Sequence, residues 1–280
     1  MTNSQHPSTH QSSPIVVKAG GTEGVDFGAI CQDAAQMIAE GQRLVLVHGG
    51  SAEANSLGEA LGYPPRFITS PSGYTSRYTD RRTMEIFTMA VNGKVNSLLV
   101  EGLQALDVNA IGLSGLDGRI LVARRKTAIR SVEGGKRKII RDDYSGKIEH
   151  VNDSLLNSLH EGGYTPVIAP MAISTEGEAL NVDADRAAAM VAEALGASTL
   201  VLLTAVPGLM SVFPDESTLI HSLPRSQIEG AKDYAQGRMK KKVLGAEEAL
   251  LGGVSRVIIA DGRVDEPITR ALEGAGTIIA

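Results

Sequence analysis

Two glycine pairs in this chain of 280 residues have the character of phosphate-binding turns. Lys18-Ala-Gly20-Gly21 places a cation two residues before one pair, and His48-Gly49-Gly50-Ser51 contains the other. Because glycine lacks a side chain, its backbone amide can approach a phosphate closely and donate a hydrogen bond to it. Neither segment matches a P-loop or a dinucleotide-binding fingerprint, and a glycine pair alone is also typical of an ordinary turn. Each pair therefore indicates an anion site only together with other charged residues.

Two segments nearer the C-terminus supply such charges. Asn181-Val-Asp-Ala-Asp185 is predicted to open a helix, where Asp183 suits an N-terminal cap and Asp185 lies in the first turn. Lys240, Lys241 and Lys242 lie at the start of another predicted helix, where the dipole disfavours positive charge unless an anion is bound. Two lysines, two glycine turns and one aspartate are what phosphoryl transfer requires, because positioning and charge neutralisation dominate that reaction.

Other chemistries are not indicated. No serine or cysteine arrangement resembles a catalytic triad, and the six histidines show no metal-ligand spacing, so no metal site built from protein ligands is predicted. The formal net charge is −5, yet the segment from Arg119 to Arg141 has nine basic residues and one acidic residue, which makes it +8 and the remainder −13. Such a stretch indicates a surface that meets an anion or an acidic partner. Nucleic acid is disfavoured because no recognition-helix pattern or stacking aromatic residues accompany it.

The elements that must position these residues alternate between strands and helices. Strands are predicted at Pro14 to Lys18, Arg43 to Val47, Asn109 to Leu113, Tyr164 to Ala169, Ser198 to Thr204 and Arg256 to Ala260. Helices are predicted at Phe27 to Glu40, Thr83 to Leu106, Asn152 to Glu161, Ala184 to Leu195, Gly237 to Leu251 and Pro267 to Leu272. The alternation predicts an α/β fold, a three-layer αβα sandwich with a mainly parallel central sheet.

One segment breaks this alternation. Arg119 to Lys126 and Lys136 to Arg141 are β-like and flank polar turns, so residues 119–148 are predicted to form a protruding basic hairpin. Residues 1–13 are polar and are predicted to be a disordered tail without the apolar stretch of a secretory signal. The apolar runs are too short to cross a bilayer, so a soluble, cytoplasmic protein is expected.

Six motifs, taken together, are similar to those of a known family. They are Lys18-x-Gly-Gly, His48-Gly-Gly, Arg77-x-Thr, Gly112-Leu-Ser-Gly-Leu-Asp-Gly, Asn181-x-Asp-Ala-Asp and Gly237-x-Met-x-x-Lys242-Val. In this order the chain resembles the amino-acid kinase family, and within it the acetylglutamate kinase branch. The resemblance extends over residues 14–280 and implies the fold that this family shares with carbamate kinase. It also implies an N-terminal lobe of about 14–170 for the acceptor and a C-terminal lobe of about 171–280 for ATP.

The same resemblance implies roles for individual residues. Lys18 and Lys242 would stabilise the transferring phosphoryl group and Asp185 would hold both lysines, with Lys242 chosen among its neighbours by counting from Met239. The residues expected to bind the acceptor are Gly49, Gly50, Ser51, Arg77 and Asn181. Those expected to bind the nucleotide are Gly20, Gly21, Thr204, Val206, Gly208 and Met239. The cofactors implied are ATP and Mg²⁺, and a homodimer through the helix after Thr83 is expected.

Ser51 departs from the acetylglutamate kinase pattern, which usually has a third glycine there. Gly-Gly-Ser-Ala-Glu resembles instead the kinases of lysine biosynthesis that phosphorylate α-aminoadipate while its amino group is attached to a small acidic carrier protein, LysW. The basic hairpin would then dock that carrier, since complementary charge steers and orients an acidic partner. The residues predicted to dock it are Arg124, Arg125, Lys126, Arg137 and Lys138. The alternative is a solvated hairpin face with surface ion pairs that each contribute about 0–1 kcal/mol.

Three other functions stay open from the sequence. One is an acetylglutamate kinase of arginine biosynthesis, and another is a bifunctional kinase for carrier-bound glutamate and aminoadipate. These share the chemistry and differ in the acceptor. The third is a non-catalytic sensor of nucleotide or amino acid, which the presence of both Lys18 and Lys242 disfavours.

Overall fold

A computed structural model describes residues 13–71, 73–133 and 136–280. The predicted disordered tail therefore lies outside the described residues, except for Ser13. The strands, in chain order, are β1 (Ile15–Ala19), β2 (Leu44–His48), β3 (Phe67–Thr69), β4 (Thr75–Arg77), β5 (Ala110–Ser114), β6 (Leu121–Arg125), β7 (Ile129–Glu133), β8 (Lys136–Ile140), β9 (Gly146–Val151), β10 (Thr165–Ala169), β11 (Met171–Ile173), β12 (Ala179–Asn181), β13 (Thr199–Thr204), β14 (Ser222–Leu223), β15 (Arg256–Asp261) and β16 (Thr277–Ile279).

The helices follow the same alternation. In chain order they are α1 (Phe27–Ala39), α2 (Ser51–Ala60), α3 (Arg81–Phe87), α4 (Ser97–Gln104), α5 (Asp153–Glu161), α6 (Ala184–Ala194), α7 (Ile228–Ala231), α8 (Met239–Leu251) and α9 (Pro267–Leu272). A π-helical segment, Thr88–Asn96, joins α3 to α4 without a break. No described helix is both long enough and apolar enough to span a lipid bilayer.

The central sheet has eight strands in the order β14, β16, β15, β13, β1, β2, β10, β5. Every neighbouring pair is parallel except β15 and β16. The carboxyl ends of β1, β2 and β13 therefore meet at one edge of the sheet, where both glycine pairs follow their strands. A smaller sheet has the order β12, β11, β6, β9.

Helices cover both faces of the central sheet, which confirms the predicted three-layer fold. Val16 packs into a core with residues of α5, α6 and α8, whereas Val17 packs into a second core with residues of α1, α4 and α9. Successive residues of a strand point to opposite faces. Lys18 therefore projects toward α6 and α8, and this alternation alone determines which helices can supply its partners.

The predicted basic hairpin is wrong in its strand pairing. β6 does not pair with β8; it pairs antiparallel with β9 in the smaller sheet, and β7 pairs with β8. Ile129–Glu133, which the prediction placed in a polar turn, forms the missing strand. Its apolar residues, Ile129 and Val132, are three positions apart, so no apolar–polar alternation marks the strand in the sequence. The protruding hairpin is therefore β7–β8, and β7 packs against β3.

Candidate active site

Lys18, Asp185 and Lys242 form one buried cluster. Lys18 Nζ lies 2.9 Å from Asp185 Oδ1, and Lys242 Nζ lies 3.0 Å from Oδ1 and 3.3 Å from Oδ2. Lys18 is the penultimate residue of β1, Asp185 lies in the first turn of α6, and Lys242 lies in the first turn of α8. Each of the three side chains is at most 10% exposed. Three distant segments thus bring two ammonium groups to one carboxylate.

Electrostatics within the cluster favour a charged carboxylate. Burial alone would raise the pKa of Asp185, but Lys18 and Lys242 outweigh it and hold this pKa well below the usual range. Burial and the nearby Lys18 lower the pKa of Lys242 to about 8, although Asp185 acts in the opposite direction. The neighbouring lysine is engaged elsewhere, because Lys241 Nζ lies 3.5 Å from Asp183 Oδ2. Asp183 also caps α6 through the amides of Asp185 and Arg186, as its sequence position predicted.

The two glycine turns touch each other beside this cluster. A Cβ atom on Gly21 would lie 2.0 Å from the Gly50 nitrogen, and one on Gly49 would lie 2.6 Å from the Gly21 nitrogen. Only glycine therefore permits this approach. In the described part of the chain, the amides of Gly21 and Gly50 have no hydrogen-bond acceptor, whereas the Gly49 amide donates to the Ala19 carbonyl. Two unpaired N–H groups next to two lysines can receive an anionic oxygen.

The residues predicted to hold the acceptor lie on the same cleft. Arg77 is buried at the end of β4, where its guanidinium donates to the Ser51 carbonyl at 3.2 Å and to Asn55 Oδ1 at 2.6 Å. Burial, together with the positive charge of Arg238, lowers the pKa of Arg77 to about 10. Asn181 also lines the cleft, and its amide donates to Thr79 Oγ1 at 3.0 Å.

The residues predicted to bind the nucleotide divide into two groups. Gly20, Gly21 and Thr204 line the cleft. Val206, Gly208 and Met239 are not among the described residues that line it. Gly208 is buried against Thr277 and Leu219. Met239 of α8 is partly buried and packs against the hydrophobic core.

The predicted docking residues occupy different environments. Arg125 donates to Glu178 Oε1 at 2.8 Å and stacks over the Tyr144 ring at 3.8 Å, so its guanidinium is committed within the protein. Arg124 is exposed and pairs with Glu149 at 2.8 Å.

The remaining three lie nearer the cleft or on the hairpin. Lys126 lines the cleft, and partial desolvation together with Arg186 and Lys241 lowers its pKa. Arg137 and Lys138 are exposed on β8.

All these features open onto one cleft of about 1190 Å³. Nine basic and five acidic residues line it, a net charge of +4 in a protein of net charge −5. In the residues that the structure describes, no group of three or more His, Cys, Asp or Glu side chains is arranged to hold a metal ion. The volume and the positive charge of the cleft suit a large polyanion.

Comparison with known proteins agrees with this geometry. The sequence model of the amino acid kinase family matches residues 13–261. The chain belongs to the amino acid kinase family. The family and the kinase activity predicted from the motifs are thereby confirmed, and ATP is the phosphoryl donor that a kinase family implies.

Two relatives within this kinase family are similar over nearly their whole length. The LysW-aminoadipate kinase of Deinococcus radiodurans is 55% identical over 95% of this chain and 91% of its own. The LysW-aminoadipate kinase of Thermus thermophilus is also 55% identical, over 95% of this chain and 99% of its own. Among solved structures, N-acetylglutamate synthase from Neisseria gonorrhoeae, complexed with coenzyme A and N-acetyl-glutamate, superposes with a TM-score of 0.78 at 27% identity. That superposition covers 96% of this chain and 59% of the synthase.

Sequence reasoning missed three residues in or beside this candidate site. Asn55 lies one helical turn after Ser51, and this i, i+4 spacing was the available signal. Arg238 precedes the lysine cluster, lines the cleft and faces Arg77. Asn96, which is buried 3.0 Å from His48 Nε2 behind the Gly49–Gly50 turn, has no sequence signal, because it lies in the middle of a long helical stretch.

Proposed function

We propose that this kinase transfers the γ-phosphoryl group of ATP to the side-chain carboxylate of α-aminoadipate carried on a small acidic protein, as a step of lysine biosynthesis. The observation that carries the chemistry is the buried Lys18–Asp185–Lys242 cluster beside the unpaired amides of Gly21 and Gly50. The names of the two relatives at 55% identity support the acceptor.

In this mechanism an acceptor carboxylate oxygen forms a bond to the γ-phosphorus while the bond to the β,γ-bridging oxygen breaks. The products are an acyl phosphate and ADP, and no proton transfer is needed because the acceptor is already ionised at neutral pH. Lys18 and Lys242 neutralise charge that spreads over the transferring oxygens, and Asp185 fixes the direction of both ammonium groups. The glycine amides donate to the same oxygens.

The acceptor is assigned to the side of the cleft that carries Arg77. Ser51 and Asn55 hold its guanidinium in place, which suits pairing with the free carboxylate of an amino acid. Arg238 faces Arg77, and an anion between them would relieve the repulsion of the two positive charges. With this assignment, we propose an acceptor lobe of about 14–170 and a nucleotide lobe of about 171–280.

ATP is expected to arrive with Mg²⁺. Protein sites usually hold Mg²⁺ through substrate phosphates, waters and one or two carboxylates. Asp185 is committed to two lysines, so we assign the added carboxylate oxygen to Asp183 Oδ2, which lies 3.5 Å from Lys241 in the cleft. The bound ion would neutralise charge on the phosphates.

The acidic carrier is proposed to dock on the β7–β8 hairpin. β7 packs against β3, and residues of β3 and β4 line the cleft, so this hairpin stands beside its mouth. Arg137 and Lys138 carry exposed positive charge there, and Lys126 continues it into the cleft. Arg125 would act indirectly, because Glu178 and Tyr144 already engage it.

A homodimer is proposed through the helical stretch around the π-helical segment. Met89 and Leu98 are 47% and 53% exposed there, and burial of such apolar surface favours association. Leu98→Glu should shift the sedimentation coefficient toward the monomer. An unchanged coefficient would place the interface elsewhere.

Trapping of the acyl phosphate with hydroxylamine tests the proposed reaction. We expect hydroxamate with carrier-bound aminoadipate and ATP, at a kcat/KM roughly 10- to 200-fold above that for carrier-bound glutamate, the range typical of one methylene. Equal rates with the two carriers would indicate the bifunctional enzyme, and activity with free acetylglutamate alone would indicate arginine biosynthesis. ADP release with none of the acceptors would contradict the proposed function.

A further inference from the structure

His48 is a buried histidine that the proposed mechanism does not use. It ends β2, immediately before the glycine pair, and its side chain is fully buried. In β2, Val45 and Val47 belong to the core of α6 and α8, whereas Leu44 and Leu46 belong to the opposite core. Since strand residues alternate, His48 points away from Lys18 and toward α4 and the π-helical segment. It cannot touch the substrate.

Asn96 determines which ring nitrogen of His48 carries the proton. Asn96 Nδ2 lies 3.0 Å from His48 Nε2 and also donates to the Val167 carbonyl at 2.9 Å. An amide nitrogen only donates, so Nε2 must be the acceptor. The proton of the neutral ring is then on Nδ1, which donates to the Gly49 carbonyl at 2.9 Å. Burial lowers the pKa of His48 to about 4, in keeping with a neutral ring.

The Gly49 carbonyl in turn fixes the direction of a glycine amide. A trans peptide unit is planar, and its C=O and N–H point in opposite directions. Holding the Gly49 oxygen toward His48 therefore points the N–H of Gly50 toward the other side, where Lys18 and Asp185 lie. This is one of the two amides that have no acceptor in the described part of the chain.

The fold keeps Asn96 tightly in place. Asn96 is buried at the last position of the π-helical segment. A Cβ atom on Gly112 would lie 2.2 Å from Asn96 Oδ1, so the neighbouring strand β5 must have glycine at that position. A side chain packed this closely has little freedom to rotate.

We propose that His48 and Asn96 are positioning residues that aim the Gly50 amide at the transferring phosphoryl group. The chain of contacts runs from Asn96 to the His48 ring, to the Gly49 carbonyl and to the Gly50 N–H. This inference rests on the proposed function for the identity of the anion, but the protonation of the ring does not depend on it.

The first experiment measures the protonation state of the His48 ring directly. Long-range ¹H–¹⁵N correlation spectra of the whole protein should show His48 neutral and protonated on Nδ1 from pH 6 to 8, with the signal assigned by its absence in His48→Gln. In Asn96→Leu, the same ring should become a mixture of both tautomers. Protonation of wild-type His48 on Nε2 would overturn the proposal whatever the enzyme's substrate.

The second experiment measures the effect of His48 substitutions on kcat. His48→Leu should lower kcat by roughly 10- to 100-fold, below the 10²- to 10³-fold loss typical of a removed oxyanion donor, with both KM values within about threefold. His48→Gln retains an N–H group and should recover part of the loss. His160→Leu is the matched control, because His160 also has a pKa lowered to about 4 by burial but lies on α5 near Arg43, away from the cleft.

Melting temperatures separate positioning from folding. A folded His48→Leu protein with unchanged kcat would overturn the proposal, as would an equal loss in the His160→Leu control. If His48→Leu does not fold, Asn96→Leu and the wild-type spectrum still decide. Absence of turnover in wild type with every acceptor would contradict the proposed function and leave the spectroscopic result intact.

Discussion

At Asp185, one carboxylate serves two buried ammonium groups, so the cluster contains one more positive than negative charge. A buried charge without a partner is expensive, because desolvation is not compensated. This excess positive charge is typical of a site that binds an anion. It also means that removing a lysine should change stability far less than removing the aspartate.

We expect Asp185→Asn to lower the free energy of unfolding by about 3–5 kcal/mol, because it leaves two buried lysines unpaired. Lys18→Met should leave a balanced Asp185–Lys242 pair and change stability far less. Both variants should lower kcat by at least roughly 10²-fold. Urea unfolding and steady-state kinetics measure the two effects. Equal destabilisation by the two substitutions would contradict this view of the charges.

The pH dependence of kcat/KM should report Lys242 in the free enzyme. Its pKa is lowered to about 8 by burial and Lys18, so the ammonium is charged below that pH and loses its proton above it. We therefore expect kcat/KM to fall as pH rises through about 8. Lys242→Arg keeps its charge and should move this alkaline limb upward, even if its rate is lower. An unmoved limb would assign the titration to another group.

The charged residues of this site could be predicted from the sequence, but the residues that hold them in position could not. Lys18, Asp185 and Lys242 belong to motifs whose order alone indicates phosphoryl transfer. Asn96 and Arg238 act through tertiary neighbours, His48 and Arg77, that are distant in the chain. No local sequence pattern indicates such long-range contacts, so only the three-dimensional structure identifies them.

Among the elements, α9 depends on a cap from another helix. It begins after Glu266, whose side chain makes no cap hydrogen bond. Buried Asp33 of α1 replaces it, accepting from the amides of Ile268 at 2.6 Å and Thr269 at 2.9 Å. One carboxylate thus satisfies the helix start and ties the first helix to the last.

We expect Asp33→Ala to lower the free energy of unfolding by about 2–3 kcal/mol, since it leaves buried amides unsatisfied. Asp26→Ala is the matched control, because Asp26 caps only its own helix, through Ala29, and should cost about 1 kcal/mol. Both variants should keep the kcat of wild type. Urea midpoints measure the difference, and equal midpoints would refute the bridging role.

Strands and helices were predictable where a regular hydrophobic pattern extends over many residues. The six predicted strands of the central sheet and the predicted helices agree with the structure within a few residues, whereas the short strands β14 and β16 at one edge of the sheet were not predicted. The β7 strand was missed because its apolar residues do not alternate with polar ones, and β6 was given the wrong partner because its neighbour β9 lies beyond the β7–β8 hairpin in the sequence. The π-helical segment could not be predicted, since nothing in its composition separates it from the α-helix around it.

For the whole molecule, two histidines predict loss of stability in acid. Burial lowers the pKa of His48 and of His160 to about 4, below the value of 6.5 expected in an unfolded chain. The unfolded state thus binds more protons between these values, so stability is complete above pH 6.5 and falls as pH decreases toward 4. His48, which is fully buried, should remove about 2 kcal/mol between pH 8 and pH 5, and the partly exposed His160 should remove less.

Urea unfolding across this range measures the effect. His48→Gln and His160→Gln should each reduce the slope of stability against pH, with the larger reduction for the fully buried His48. A slope that neither substitution changes would show that other groups control the acid transition.

The central position of β1 has a consequence for synthesis of the chain. One edge of β1 pairs with β2, but the other waits for β13, because Ile15 pairs with Thr199 roughly 180 residues later. At a translation rate of about 5–20 residues per second, that edge stays bare for roughly 10–40 s. A bare edge of valine and isoleucine is a template for pairing with other nascent chains. Slower translation, or a lack of chaperones, should therefore reduce the yield of native protein, because chains can associate before Lys18 and Lys242 come together.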